Sequence, residues 1–366
     1  TWLWDGSSWS YPLAGPECYR CLSEKCATYL SPWCFSQQAE ENCGTDCCHD
    51  VCDHVPGANF VEAPGLAWDH SMTFDKTLQK IVLLGGRTMH GQETIWAWEG
   101  DSWSYHYYPD NGYYSDRSSS VIFHDGLGGL FTFSFSKDGL WLADHQQQLW
   151  RQLPDQIDLP APRTNHHMVY DAARRQLVMF GGTIDHENLL IDTWLYDGAH
   201  WRQAEPSTSP PGLSNADLVY DSDRQQVVMF GGLIDYSNRI PCQQTWEFDG
   251  SNWQETTPAA SPPTRYQHAM AYDPDSQTTL LFGGRGDHYT ITYGDLWAYD
   301  GQSWASIPVS GPKPIAKFHH AMAYHPLENG VFLFGGLNHN YSRNDKTWKW
   351  DGQSWEVLDT VGTGQE

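Results

Sequence analysis

Carboxylate–imidazole pairs recur at one offset in this sequence. Asp185-His186 and Asp287-His288, with Asp235-Tyr236 between them, end four residues past the second glycine of a Gly-Gly pair. His90 stands at the same offset earlier in the chain, and His339 and Asn340 near it later. Imidazoles and carboxylates ligate transition metals, and carboxylates also hold Ca2+. Two expectations follow: a polar, cation-attracting rim of His90, His186, Tyr236, His288 and His339, and a Ca2+ or transition-metal site drawn from Asp185, His186, Asp287 and His288. A different chemistry is packed between residues 18 and 52, where Cys18, Cys21, Cys26, Cys34, Cys43, Cys47, Cys48 and Cys52 account for eight of the nine cysteines. An even number in so short a segment reads as a disulfide framework in an oxidising compartment. Zinc is the competing reading, since Cys18-x-x-Cys21 lies near His49 and His54. Cys242 stands alone, as a free thiol or as a bridge to another segment. No Ser-His-Asp order, phosphate loop or zinc-protease motif is present.

The elements that position these groups are repeats. In Leu177–Trp201 an apolar strand runs into Gly181-Gly182, a polar loop follows, Trp194 and Tyr196 alternate along a further strand, and Asp197-Gly198 turns back to Trp201. Gly-Gly pairs begin at Gly85, Gly181, Gly231, Gly283 and Gly335, and acidic-Gly-x-x-Trp turns at Asp5, Glu99, Asp197, Asp249, Asp300 and Asp351. Ahead of each Gly-Gly strand lies another strand, seen as Arg163–Asp171 and Arg265–Asp273. A period of roughly 50 residues in a strand-rich chain predicts an all-β propeller with one four-stranded blade per repeat. Residues two apart on a strand share a face, so Trp194/Tyr196, Trp246/Phe248, Trp297/Tyr299 and Trp348/Trp350 are read as packing between blades. On the same geometry, each strand adds roughly 4.8 Å of distance from the axis. The Asp-His positions therefore form a wide circle, and they meet on one ion only if their loops fold inward; inherited loop structure is the competing cause.

Six complete repeats are present, the second of them degenerate at 117–150, with Phe133-Ser134-Phe135-Ser136 in place of Gly-Gly. The chain opens inside a motif, at Thr1–Trp9, which reads as the outer half of a further blade. A seven-bladed ring is the favoured expectation, its missing strands supplied by an upstream fragment or another chain, with a six-bladed ring as the alternative. Residues 1–366 are read as a single propeller domain, interrupted at 14–66 by the cysteine-rich insertion.

These motifs resemble kelch repeats of the secreted type, over about nine-tenths of the chain. Part of the insertion, Cys18-Tyr-Arg-Cys21-Leu and Trp33-Cys34, is similar to the small disulfide modules of attractin-like proteins, although Ser31 stands where that module has a cysteine. The kelch resemblance implies that the variable loops and the insertion share one face. It also implies an anion-binding mouth at the basic residues that open the inner strands, Arg117, Arg163, Arg265 and Lys317, followed by His70, His166, His268 and His320. The competing reading has these groups satisfying carbonyls between blades. Leu213 and Ala67 break the basic series, which leaves an asymmetric mouth.

With 21 basic and 45 acidic residues the formal charge is −24, which argues against nucleic acid and anionic membranes and favours cations, basic proteins or neutral glycans. No run approaches the roughly 20 apolar residues of a membrane span, and no secretory leader is seen. Asn340-Tyr341-Ser342 is the one N-glycosylation sequon. The expectation is a non-catalytic, secreted, extracellular or periplasmic binding or assembly module, without a resident cofactor, that offers its loops and insertion to a protein or glycan. The alternative is a metal-dependent kelch-type enzyme, oxidase- or epimerase-like, with its site at the propeller mouth.

Overall fold

The computed structural model describes residues 3–4, 9–10, 64, 69–86, 94–107, 121–124, 129–134, 139–147, 149–153, 159–185, 187–287 and 290–358. The chain divides into two compact units, Thr1–Val61 and Glu62–Glu366. In the first, Leu3–Trp4 pairs antiparallel with Trp9–Ser10. The eight clustered cysteines and all of the 14–66 insertion except Pro64 lie outside the described residues.

The second unit holds six four-stranded antiparallel sheets among its described residues, at 70–107, 121–152, 167–204, 217–256, 269–307 and 321–357. We number these blades one to six. Within each, the strands run in sequence order from the innermost outward. Blade three shows how the sequence dictates this. His167–Asp171 pairs with Gln176–Phe180, whose five residues are all buried because neighbours cover both faces of the sheet. Thr193–Tyr196 and Trp201–Ala204 follow, joined by the Asp197-Gly198 turn. Gly198 has φ 100° and open space where a Cβ would stand, so the turn needs glycine for its backbone angle alone. The degenerate repeat forms blade two despite its altered turn.

The ring closes on itself. Each innermost strand meets the next, and that of blade six, Ala321–His325, meets that of blade one, His70–Asp75. At this seam Trp103 Nε1 donates to Thr347 Oγ1 at 2.8 Å, Asp69 N donates to His319 O at 3.2 Å, and His70 sits edge-on to Phe334. The expected seven-bladed ring is thus corrected to six. Blade six ends in its own outer strand, Trp355–Val357, so among the described residues each of the six blades has its own four strands.

The core consists of interblade layers. One cluster joins Phe180 and Leu195 of blade three to Trp246, Phe248 and Trp253 of blade four; another joins Phe230 of blade four to Leu281, Tyr299 and Trp304 of blade five. The paired aromatics of the third strands lie in these layers as their alternation predicts, with Trp194 and Trp297 half-buried. The outer-strand tryptophans add a polar bridge that the alternation does not reveal. Trp253 Nε1 donates to Thr193 Oγ1 and Trp304 Nε1 to Thr245 Oγ1, each at 2.9 Å and each reaching the preceding blade.

Candidate binding face

The Gly-Gly bends place the loops. At Gly231 a Cβ would stand 2.5 Å from Arg265 O in the next blade, and at Gly232 it would stand 2.9 Å from Ala216 Cβ in the same blade. Both have positive φ, 65° and 96°. Only glycine fits this approach, in which Gly232 N donates to Arg265 O at 2.9 Å. Each bend therefore carries the loop between the second and third strands against the connection that enters the next blade, so both kinds of loop lie on one face. The tight turns, including the acidic Asp-Gly turns at Asp197, Asp249, Asp300 and Asp351, lie on the other.

Around the axis on the loop face runs a collar of left-handed residues. Asn215 N donates to Asn165 O, Gln267 N to Asn215 O, His319 N to Gln267 O and Asp69 N to His319 O, at 3.0 to 3.2 Å. All five have φ between 55° and 61°. They open onto an axial cavity of about 530 Å3, whose wall also includes His167, Asp217 and, toward the far end, Tyr272 and Tyr324. His319 also pairs through Nδ1 with the Asp69 carboxylate.

The basic residues that precede the inner strands turn into their own blades. Arg163 donates to Gly181 O at 3.1 Å and grips Asp192 through two bonds of 2.6 and 2.7 Å. Arg265 repeats this on Gly283 O and Asp295, and Lys317 donates to Gly335 O and Asn344 Oδ1. All three are buried, and none lines the axial cavity. An anion at the mouth would have to displace these bonds. Burial would raise the Asp192 and Asp295 carboxyls, but the hydrogen bonds from Arg163 and Arg265 and from Trp194 and Trp297 outweigh it and hold both below the usual range. Burial brings the Lys317 ammonium down to about 7. Blade four replaces the whole clamp: Leu213 stands for the cation, Gln244 for the aspartate, and the Cys242 thiol donates to Gly231 O at 3.2 Å. Cys242 is a free, buried thiol, pushed up to about 11 by burial.

His70, His166, His268 and His320 are buried at the start of the inner strands. His70, His268 and His320 sit edge-on to Phe334, Phe230 and Phe282 of the preceding blade. Burial brings His70 down to about 4 and lowers the other three well below the ordinary imidazole range, helped by the neighbouring Arg163, Arg265 and Lys317.

On the wider circle, the repeated aspartate has a local role. Asp185 Oδ1 accepts Glu187 N and Asn188 N at 3.0 and 2.8 Å, and Asn188 Nδ2 donates to Oδ2 at 2.6 Å. Asp235 caps its loop through Asn238 in the same way. Such self-capping needs no ion. At Asp287 the backbone carbonyl, which accepts from Thr290, plays that part. His90, Arg117, His186 and His288 lie outside the described residues. Tyr236 is half-buried with the Arg239 guanidinium 4.1 Å above its ring, and His339 is exposed. Among the described residues no three His, Cys, Asp or Glu side chains are grouped to hold a metal.

One feature of this face escaped the polar motifs. Of the eight large hydrophobics exposed among the described residues, Ile184, Ile191, Ile234, Ile240, Ile291, Ile315 and Tyr341 all lie on the loop face, at 43 to 62% exposure. Leu327 alone lies on the turn face. Six of the seven are isoleucines and one is a tyrosine. The hairpin of Leu233–Asp235 and Ile240–Pro241 holds two of them on paired strands. The seven are spread over the loops of blades three to six, on the side where the variable loops lie.

Comparison with known proteins agrees with this architecture. The chain is 25% identical to Mei4-dependent protein 6 of Schizosaccharomyces pombe, over 62% of this chain and 28% of that protein. It is 26% identical to human multiple epidermal growth factor-like domains protein 8, over 62% of this chain and 8% of that one. It is 31% identical to the flagellar outer arm dynein alpha chain of Chlamydomonas reinhardtii, over 33% of this chain and 3% of that one. The chain thus spans less than a third of the length of these curated relatives. The solved structure of YjhT superposes with a TM-score of 0.58 over 81% of this chain and 98% of that one, at 13% identity, a likeness of fold alone. Residues 126–336 and 226–366 match the KLHDC2/KLHL20/DRC7 Kelch-repeats domain, and the chain with its six sequential blades belongs to the Kelch-repeat family.

Proposed function

We propose that this propeller is a non-catalytic extracellular binding or assembly module that docks a protein through its loop face. Kelch propellers commonly bind proteins. The observation that carries the reading is the placement on that face of seven of the eight large hydrophobics exposed among the described residues, above loops braced by their own aspartates. An exposed isoleucine loses apolar surface to a partner at roughly 25 cal/mol per Å2, and preordered loops lose little entropy on binding. The cysteine-rich insertion at 14–66, read from its eight cysteines as disulfide-stapled, is proposed as a second contact surface. An oxidising compartment suits eight closely spaced cysteines. A glycan is the competing ligand.

A photo-crosslinking residue at Ile184, Ile234 or Ile291 should capture a partner in the native host, while one at Ser251 on the turn face should not. The triple variant Ile184→Asp, Ile234→Asp, Ile291→Asp should lose that partner and keep its fold by circular dichroism. Retention of the partner by the triple variant, or capture from Ser251 alone, would overturn the reading. Fractionation of the untagged host protein tests the extracellular assignment separately.

A further inference from the structure

We propose that Asn340 is an N-linked glycan acceptor and that its glycan restricts docking to the blade three to five side of the loop face. The assignment rests on the secretory routing proposed above. Asn340-Tyr341-Ser342 is the single Asn-x-Ser/Thr triplet in the chain, and the fold places it on the loop of blade six between the second and third strands. Asn340, Tyr341 and Ser342 are all exposed. The backbone around the acceptor is held without help from its side chain. Asn338 Oδ1 accepts the N–H groups of both Asn340 and Ser342 at 2.9 Å, Asn338 N donates to Ser342 O at 3.0 Å, and Tyr341 N donates to Asn338 O at 2.9 Å.

Asn340 is exposed and the turn's hydrogen bonds use Asn338 and backbone groups, so a substituent on Asn340 Nδ2 breaks none of them. Tyr341, at φ 60°, is turned back toward the ring, where its hydroxyl accepts from Arg285 at 2.9 Å and its ring meets Phe318 edge-on. The two neighbours thus divide: the tyrosine anchors the loop and the asparagine faces outward. In the transfer, the bond from the first sugar's C1 to a polyprenyl diphosphate breaks, C1–Nδ2 forms, Nδ2 gives up a proton to the transferase base, and the diphosphate leaves. A chain of sugars on Asn340 would stand over Tyr341 and His339 and close the blade six sector. Ile184, Ile191, Ile234, Ile240 and Ile291, on blades three to five, stay open.

The test uses the full chain behind a cleavable leader, translated with microsomes and secreted from cultured animal cells. The translocated protein should run heavier than the bare chain, lose the difference on peptide N-glycosidase treatment, and then show aspartate at position 340 by peptide mass spectrometry. Asn340→Gln and Ser342→Ala should each abolish the shift, and Ser342→Thr should retain it. A protease-protected chain in microsomes that carries no shift would overturn the acceptor assignment. An acceptor that works in microsomes, in a protein found in the host cytosol, would overturn the routing and leave the site standing. For the docking sector, the captured partner should crosslink from Ile234 or Ile291 in the glycosylated protein and not from Tyr341; crosslinking from Tyr341 there would overturn the sector assignment.

Discussion

Arg163 and Asp192 illustrate how one position can be read in two ways until its partner is known. A basic residue ahead of four of the six inner strands was legible in the sequence, as was the choice between an anion site and carbonyl satisfaction. Asp192 was not, because it lies 29 residues away with no local signal linking the two. Blade four supplies an internal control: losing the cation at Leu213 goes with losing the carboxylate at Gln244. Breaking one member of a buried pair strands the other charge, which costs about 3–5 kcal/mol, whereas replacing both is often close to neutral. Asp192→Gln alone should therefore lower stability by about that amount, and Arg163→Leu with Asp192→Gln should recover most of it, read as denaturant midpoints in a double-mutant cycle. The histidines give a pH prediction. His70 is held neutral to about 4, against an ordinary value of 6.5. The unfolded chain therefore binds the proton first, and the contribution is fully present above pH 6.5 and lost as pH falls toward 4. For one such group the limit is about 3 kcal/mol. His166, His268 and His320 shift the same way, so the urea midpoint should fall steadily from pH 6.5 to 4. A flat profile across that window would contradict the burial argument.

The strands were the most legible elements, because their alternation and their Gly-Gly ends repeat. Even blade two was readable despite its lost glycines, since the hydrophobic runs around Leu130–Ser134 and Gly139–Asp144 survive. The aspartates of the loops were visible too, but their meaning was not. A capping carboxylate and a metal ligand look alike until the N–H groups of Glu187 and Asn188 are seen on Asp185. The threonines that open the third strands, Thr193, Thr245 and Thr347, were equally visible, yet their bond to a tryptophan some 60 or more residues away belongs to the interface between blades. Thr245→Val keeps the shape and leaves the buried Trp304 Nε1 without an acceptor. An orphaned buried donor costs about 1–3 kcal/mol. Thermal unfolding should fall accordingly, while Thr256→Val, half-buried on the neighbouring outer strand, should fall by less.

At the scale of the whole molecule the question is how a ring holds when no strand crosses its seam. Counting motifs pointed toward seven blades because Thr1–Trp9 repeats the outer-strand signature. What decides the count is that the interface between blades six and one carries the same contacts as interfaces between linked blades. Trp103 reaches Thr347 as Trp253 reaches Thr193, and His70 meets Phe334 as His268 meets Phe230. The cluster across the seam unites Trp96, Trp98 and Trp103 with Phe332 and Phe334, so an apolar layer spans the seam as one spans the linked blades three and four. A linker between consecutive blades lowers the entropy loss on docking them, and the seam lacks that help; the loss grows only slowly with chain length. Closure should therefore need nothing from the first unit. Residues 64–366 produced alone should unfold in one cooperative transition within a few degrees of the full chain. Trp103→Ala in that fragment removes both the bridge to Thr347 and a large part of the seam's apolar layer, for which about 3–5 kcal/mol is the usual loss. The amides of His70–Asp75 and Ala321–His325 should then exchange hydrogen ahead of those in blades three to five. Uniform exchange around the ring, or a fragment that fails to fold unless residues 1–63 are restored, would show that the seam depends on the first unit.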